Sequence, residues 1–217
     1  MGSYYTGGMV LPRGPAAILC AAVLVVLALG VSDAREGVIV ALGDSLTAGY
    51  GVAREEAWPA RLGARLRREG YAVRVVNAGV SGDTSAGGLR RVDWVLRGRP
   101  VIVIVALGAN DGLRGLSVTA MRRNLTAIIR SVREGGADVL LAGMRVPPNY
   151  GDDYAREFAE TFPAVAAEMG VPLMPFLLDG VAADPELNQA DGLHPSAAGH
   201  RVIAERVFPH LLPLLRR

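Results

Sequence analysis

The chain has no lysine; all 23 of its basic residues are arginine. That excludes a Walker-type phosphate loop, which needs Gly-Lys-Ser/Thr, and any Schiff-base mechanism. Its single cysteine, Cys20, excludes a disulfide framework, a thiolate metal cluster and a resolving thiol pair. Cys20 lies inside an apolar run, where a thiol behaves as a small hydrophobe. Aromatic residues make up only 6% of the chain, too few for a base-stacking single-strand binder. The formal charge is +2, and the arginines are spread along helical stretches rather than clustered, so no nucleic-acid partner is expected. Internal repeats, low-complexity tracts and interdomain linkers are absent too.

What is present fits one domain. With 217 residues the chain can bury a single sizeable core, and 51% hydrophobic against 20% charged suits a globular protein carrying an added apolar segment. That segment is at the start. Arg13 precedes the apolar run Ala16–Val31, and small and polar residues follow through Ala34. Positive flank, apolar centre and small-residue exit are the order of a secretory signal, and the run is short for a membrane span of ~20 residues. Residues 1–35 are therefore expected to be a signal peptide removed on export to the periplasm or medium, with a retained anchor at residues 16–31 as the alternative. The myristoylation-like start from Met1-Gly2 to Thr6 and a lipoprotein reading of Cys20 are rejected. A signal core follows the first, and bulky Leu19 precedes the second.

From residue 36 onward strands and helices alternate. The apolar run from Val38 ends in Gly43-Asp44-Ser45. Trp58, Leu62 and Leu66 share one helical face up to Gly70; Tyr71–Asn77 reads as the second strand. A loop over 79–88 leads into a helix ending near Arg97. Val101–Leu107 is continuously apolar, as in a parallel sheet covered on both faces. Val118, Met121, Leu125, Ile128 and Val132 form a buried helical stripe, closed by Gly135-Gly136. Asp138–Gly143 is a fourth strand, and a helix follows from about Tyr154 to Met169. The proline-interrupted Val171–Pro175 is a short edge strand, and a last helix runs from Ser196 to the Pro209 region. The expected fold is α/β: one three-layer α/β/α domain, 36–217, around a flavodoxin-like parallel sheet of about five strands.

Polar clusters recur just after these strands: Gly43-Asp44-Ser45, Asn77 to Thr84, Gly108 to Gly112, and Asp191-Gly-Leu-His194-Pro195 before the last helix. In a parallel sheet such points gather along one edge. Acyl transfer needs a nucleophile, a base, an orienter and oxyanion donors. Of three histidines, His200 and His210 fall in the last helix and read as structural or solvated. His194 stands in a loop, and Asp191 three residues earlier can present a carboxylate to Nδ1, leaving Nε2 for a serine. A plainer reading stays open: Asp44 or Ser45 caps a helix, and Asp191 to Ser196 is a turn and helix start. Asp44, Asp83 and Asp111 read as carboxylates accepting loop amides.

Taken together the four blocks, with Ser81-Gly-Asp-Thr-Ser85, Gly-Ala-Asn-Asp-Gly-Leu113 and Arg145-Val-Pro-Pro-Asn-Tyr-Gly151, resemble the SGNH hydrolases, or GDSL esterase/lipase family. The chain is most similar to the bacterial periplasmic branch of acyl thioesterases, lysophospholipases and arylesterases. The resemblance spans the whole chain after the leader; Ala109, where glycine is frequent, is the one departure seen. It implies a serine hydrolase of esters and thioesters with Ser45 as nucleophile, Asp191 and His194 as its catalytic partners, and an oxyanion hole from the Ser45 and Gly82 amides and the Asn110 side chain. It implies small acyl-ester or acyl-thioester substrates, with membrane lipids among the candidates; no cofactor is expected, and a monomer is the default, since the sequence carries no signal for oligomeric state. Leu113, Leu116, Met144, Pro147, Pro148 and Tyr150, on loops after the third and fourth strands, form either an apolar rim for an acyl chain or simple loop packing. Acetylated carbohydrate is the alternative substrate. Two other classes are carried alongside: a metal-dependent phosphoesterase using Asp44, Asn110, Asp111, Asp191 and His194, and a non-catalytic surface-binding domain on an uncleaved anchor.

Overall fold

Strand β1 (Gly37–Gly43) lies inside a five-stranded sheet of order β2-β1-β3-β4-β5, every neighbouring pair parallel. The computed structural model describes residues 1–2 and 37–215, so the expected signal segment falls outside the described residues, and the fold is that of the unit Glu36–Arg217. The other strands are β2 (Val73–Gly79), β3 (Ile102–Ala106), β4 (Asp138–Ala142) and β5 (Leu173–Met174). The chain leaves β1 toward β2 on one side and returns beyond β1 to β3 on the other. The tip of β1 is therefore the topological switch point, where open α/β sheets bind ligands. Among the described residues no helix is long and apolar enough to cross a membrane.

Register explains the helix placement. Val38, Val40 and Leu42 pair with Arg74, Val76 and Ala78 on one face; Ile39 and Ala41 pair with Val75 and Asn77 on the other. Helix α2 (Trp58–Arg68) covers the Val75 face with Trp58, Leu62 and Leu66, all fully buried, and packs against the last helix, α7 (Ala197–Leu215). The opposite layer is α3 (Ser85–Leu96), α5 (Val118–Glu134) and α6 (Asp152–Met169), packed in that order. Covered on both faces, β3 is buried at every residue, as its unbroken apolar run requires. Two short helices, α1 (Ser45–Ala48) and α4 (Ala109–Leu113), open directly at the tips of β1 and β3.

Several boundaries depart from expectation. Tyr71 donates its N–H to the Leu66 carbonyl (3.0 Å) and so closes α2, and β2 begins at Val73 and runs to Gly79. Helix α3 begins at Ser85 because the Thr84 hydroxyl accepts from the Gly87 amide (3.3 Å) and caps it. Helix α7 passes Pro209 and reaches Leu215. Pro209 and Pro213 both lie on its exposed side, where carbonyls deprived of an amide partner face water, while Val207, Phe208, Leu211 and Leu214 stay buried. His210 is accordingly a half-buried residue of a continuous helix.

Candidate active site

The site is built from loop backbone held at the strand tips. Asp44 caps α1, its Oδ1 accepting from the Leu46 amide at 3.0 Å, so capping falls to Asp44 and Ser45 becomes the first helical residue. Asn77 fastens the other end of α1, donating Nδ2 to the Thr47 carbonyl at 2.8 Å. Ser45 is thus fixed at both ends of a single helical turn.

His194 reaches Ser45 across 149 residues of sequence, with Nε2 3.0 Å from Oγ. Its Nδ1 lies 2.6 Å from Asp191 Oδ2, and Asp191 Oδ1 accepts from the Leu193 and His194 amides at 2.9 and 3.0 Å. Those bonds, the His194 amide foremost, hold the Asp191 carboxyl down to about 2. An ionised carboxylate only accepts, so Nδ1 carries the imidazole proton and Nε2 is free to accept from the serine hydroxyl. Asp191 is not the buried aspartate expected of such a pair, because its side chain is 41% exposed. Its charge is stabilised by local amides rather than by the interior.

Around Ser45 stand candidate oxyanion donors. Gly82 occupies a left-handed conformation (φ 81°) that glycine adopts without strain, and its carbonyl accepts from Arg114 Nη2 at 2.8 Å. Neither the Ser45 nor the Gly82 amide has an acceptor among the described residues. Asn110 donates Nδ2 to the Asp83 carbonyl (3.0 Å) and to Asp44 Oδ2 (3.2 Å). Asp44 is fully buried, and desolvation pushes its carboxyl up to about 6 against the bonds from Leu46 and Asn110.

The flanking aspartates are structural in different ways. Asp111 accepts the Ser85 amide (2.7 Å) and hydroxyl (2.6 Å), as expected of a carboxylate serving a loop. Asp83 instead meets an arginine: Arg91 gives Nε to Asp83 Oδ2 (2.7 Å), Nη1 to the Ala78 carbonyl (2.6 Å) and Nη2 to the Gly43 carbonyl (2.7 Å). One guanidinium therefore ties the tips of β1 and β2 to the Gly82 loop. Sequence reasoning missed Arg91, Arg114 and Gln189, whose acceptors are mainly backbone carbonyls and so carry no residue signature. Of the proposed metal-binding set, Asp44 and Asp111 are committed to these bonds; among the described residues no three His, Cys, Asp or Glu side chains converge as ligands.

The apolar loop residues sort unevenly. Met144 is 2% exposed and belongs to the core, because the chain just after β4 is still covered by helices. Tyr150 gives its hydroxyl to the Leu113 carbonyl at 2.7 Å and so joins the two loops. Leu116 is exposed; Leu113 and Pro147 are half-buried.

A hydroxyl, an imidazole and a carboxylate in hydrogen-bonded series, mounted at the switch point of a doubly wound sheet, is the arrangement of a serine hydrolase. Comparison with known proteins agrees. The chain is 43% identical over 190 residues to esterase TesA of Pseudomonas aeruginosa, covering 87% of this chain and 94% of that protein. It is 39% identical over 178 residues to thioesterase 1/protease 1/lysophospholipase L1 of Escherichia coli, covering 82% and 84%. Among solved structures, psychrotrophic esterase EstA from a Pseudoalteromonas species, inhibited by monoethylphosphonate, superposes with a TM-score of 0.79 at 35% identity, covering 83% of this chain and all of that one. Residues 41–202 match the GDSL-like lipase/acylhydrolase family, and the chain belongs to it.

Proposed function

We propose that the chain hydrolyses carboxylic esters and thioesters of acyl substrates through an acyl-enzyme on Ser45. The observation that carries this reading is the series Asp191–His194–Ser45, with heavy-atom separations of 2.6 and 3.0 Å. His194 Nε2 takes the Ser45 proton as Oγ attacks the acyl carbon, and Asp191 stabilises the imidazolium that results. The tetrahedral oxyanion is received by the Ser45 and Gly82 amides and by Asn110 Nδ2. Collapse expels the alcohol or thiol, which takes the proton from His194. Water, deprotonated by the same nitrogen, then attacks the acyl-enzyme and releases the acid and free Ser45.

The substrates are aryl esters, acyl thioesters and lysophospholipids, a range supported by the names of the relatives, with the Leu113, Leu116, Pro147 and Tyr150 loops as the rim for the acyl chain. Residues 1–35 are the export signal and 36–217 the hydrolase domain, acting outside the cytoplasm as a monomer. Mass spectrometry of exported protein tests the signal; a start near residue 36 is the expected result.

The decisive experiment pairs p-nitrophenyl ester hydrolysis with labelling by a fluorophosphonate, since a phosphonate inhibits the structural relative EstA. Wild-type protein is expected to label and to lose activity in proportion, with a chelator having no effect. Ser45→Ala is expected neither to label nor to hydrolyse the ester, while unfolding at the wild-type midpoint. Turnover that survives in Ser45→Ala, or is abolished by the chelator, overturns the reading.

A further inference from the structure

Tyr50 stands on the loop leaving α1, and its ring lies against the His194 imidazole, centroids 4.7 Å apart and planes inclined at 42°. Otherwise the side chain reaches into solvent, 54% exposed, and none of the described residues hydrogen-bonds its hydroxyl. Its backbone is pinned. Gln189 Nε2 donates to the Tyr50 carbonyl at 2.7 Å and to the Pro195 carbonyl at 2.9 Å, while the Gln189 amide donates to the His194 carbonyl at 2.8 Å. Next to Tyr50, Gly51 has φ 77°, and a Cβ there would sit 2.1 Å from Gln189 Oε1. One buttressing side chain thus locks the loop bearing Tyr50 to the loop bearing His194.

We propose that Tyr50, clamped by Gln189, is a positioning residue for His194: its ring closes one face of the imidazole, keeps Nε2 on Ser45 Oγ, and stabilises the imidazolium formed during attack. The proposal rests on the reading of His194 as the base. The need for it lies in exposure. Asp191 is 41% exposed and bonds the ring at Nδ1; the other ring bond, Nε2 to Ser45 Oγ, is given up as Oγ attacks, so the imidazolium is then held at Nδ1 and left free to turn. An aromatic plate removes that freedom, and its π-face attracts a cation within about 6 Å. Because the hydroxyl has no partner among the described residues, the role is assigned to the phenyl ring.

The test compares wild type, Tyr50→Phe, Tyr50→Leu and Gln189→Leu by the pH dependence of p-nitrophenyl butyrate hydrolysis and by NMR titration of the His194 ring proton. The other titratable groups facing His194 are Asp191, Asp44 and His200, and all three are kept in every variant. Tyr50→Leu is expected to move the NMR midpoint and the acid limb of kcat/KM together to lower pH, the direction that loss of a π-face beside a cation gives. Its plateau kcat should fall about tenfold with KM little changed, as for misplacement of a reacting group. Gln189→Leu should show the same fall in kcat, and Tyr50→Phe should match wild type in every readout. Unmoved midpoints in Tyr50→Leu, or a Tyr50→Phe variant as impaired as Tyr50→Leu, would overturn the role of Tyr50 while loss of hydrolysis in His194→Ala leaves the base assignment standing. Hydrolysis that persists in His194→Ala overturns the base assignment, and with it any role for Tyr50 acting through that ring.

Discussion

The buried carboxylate of Asp44 accepts a hydrogen bond from the side-chain amide of Asn110, Oδ2 to Nδ2 at 3.2 Å, while the second Asn110 hydrogen goes to the Asp83 carbonyl. The Ser45 and Gly82 amides, in contrast, have no acceptor among the described residues. Two of the proposed oxyanion donors are therefore open, and the third must share a hydrogen already directed at Asp44. Asp44 also caps α1 through Leu46, so one carboxylate sets both the turn that carries Ser45 and the amide plane of Asn110.

Asp44→Asn tests that arrangement. An asparagine can accept from Leu46 or from Asn110 through its one oxygen, and its NH₂ then faces the other donor. Removal of one oxyanion donor costs ~10²–10³ in kcat. Asn110→Ala is expected to lose that much, and Asp44→Asn about 10² with KM nearly constant. Because both act through the same hydrogen bond, the double variant should be no slower than Asn110→Ala alone. Multiplicative losses in a steady-state comparison would show that Asp44 acts by another route.

Arg91 invites a stability measurement. Its guanidinium serves two backbone carbonyls and the Asp83 carboxylate, with only 19% of the side chain exposed. Arg91→Met leaves partly buried acceptors unpaired and is expected to lower unfolding free energy by about 2–4 kcal/mol. Arg91→Lys should recover only part, since one ammonium cannot span the three acceptors. Urea titration checks both, with a lower midpoint at unchanged slope as the expected result.

Much of this design is legible in the chain alone. Each apolar run that stops at a polar cluster marked a strand tip, and Ser45 and Asn110 follow from that pattern; His194 follows instead from being the one histidine in a loop rather than in the last helix. The stripes of α2 and α5 were legible because their helices are long enough to show a period. Helices α1 and α4, at four and five residues, are not. Arg91 and Gln189 were invisible for a different reason: apart from the Asp83 carboxylate, their side-chain partners are main-chain carbonyls up to 139 residues distant, and any residue type presents one. The Pro209 boundary was misjudged because the local rule against proline inside a helix gave way to the tertiary burial of Phe208, Leu211 and Leu214.

Acid stability should depend on His200. It accepts the Trp58 amide at Nδ1 (3.3 Å), and this supplies the cap that Ala57 cannot give to α2. Nε2 therefore carries the proton, buried and without a partner among the described residues. Burial, then the nearby Arg61 charge, drives the imidazole from an ordinary 6.5 down to about 4. As pH falls through that window the unfolded chain takes the proton first, so stability declines from about 6.5 to about 4 and then levels. Asp44 works in the opposite direction: raised from 3.8 to about 6, it binds its proton first in the folded state and adds stability as pH falls through that range. Asp191, lowered from 3.8 to about 2, gives stability that is complete above 3.8 and lost toward 2. His200→Gln, which keeps an acceptor for Trp58, is expected to flatten the decline between pH 6.5 and 4. Asp44→Asn should steepen it, and urea midpoints across that range check both.

The exposure of Asp191 leads to an ordering of variants at that position. In Asp191→Asn the amide oxygen can still accept from Leu193 and His194, which turns NH₂ toward Nδ1. Nδ1 must then accept, the imidazole proton moves to Nε2, and Nε2 can no longer take the Ser45 proton. A wrong tautomer of this kind costs ~10⁴ in kcat. Asp191→Ala removes the carboxylate without imposing that tautomer. With the side chain 41% exposed, water can replace the lost oxygen and accept from Nδ1–H. Asp191→Ala is therefore expected to be the faster variant, losing less than the ~10⁴ of Asp191→Asn. Measured kcat/KM for an aryl ester at neutral pH decides the order. Equal losses would mean that the charge of Asp191, rather than the tautomer it selects, is what the imidazole requires.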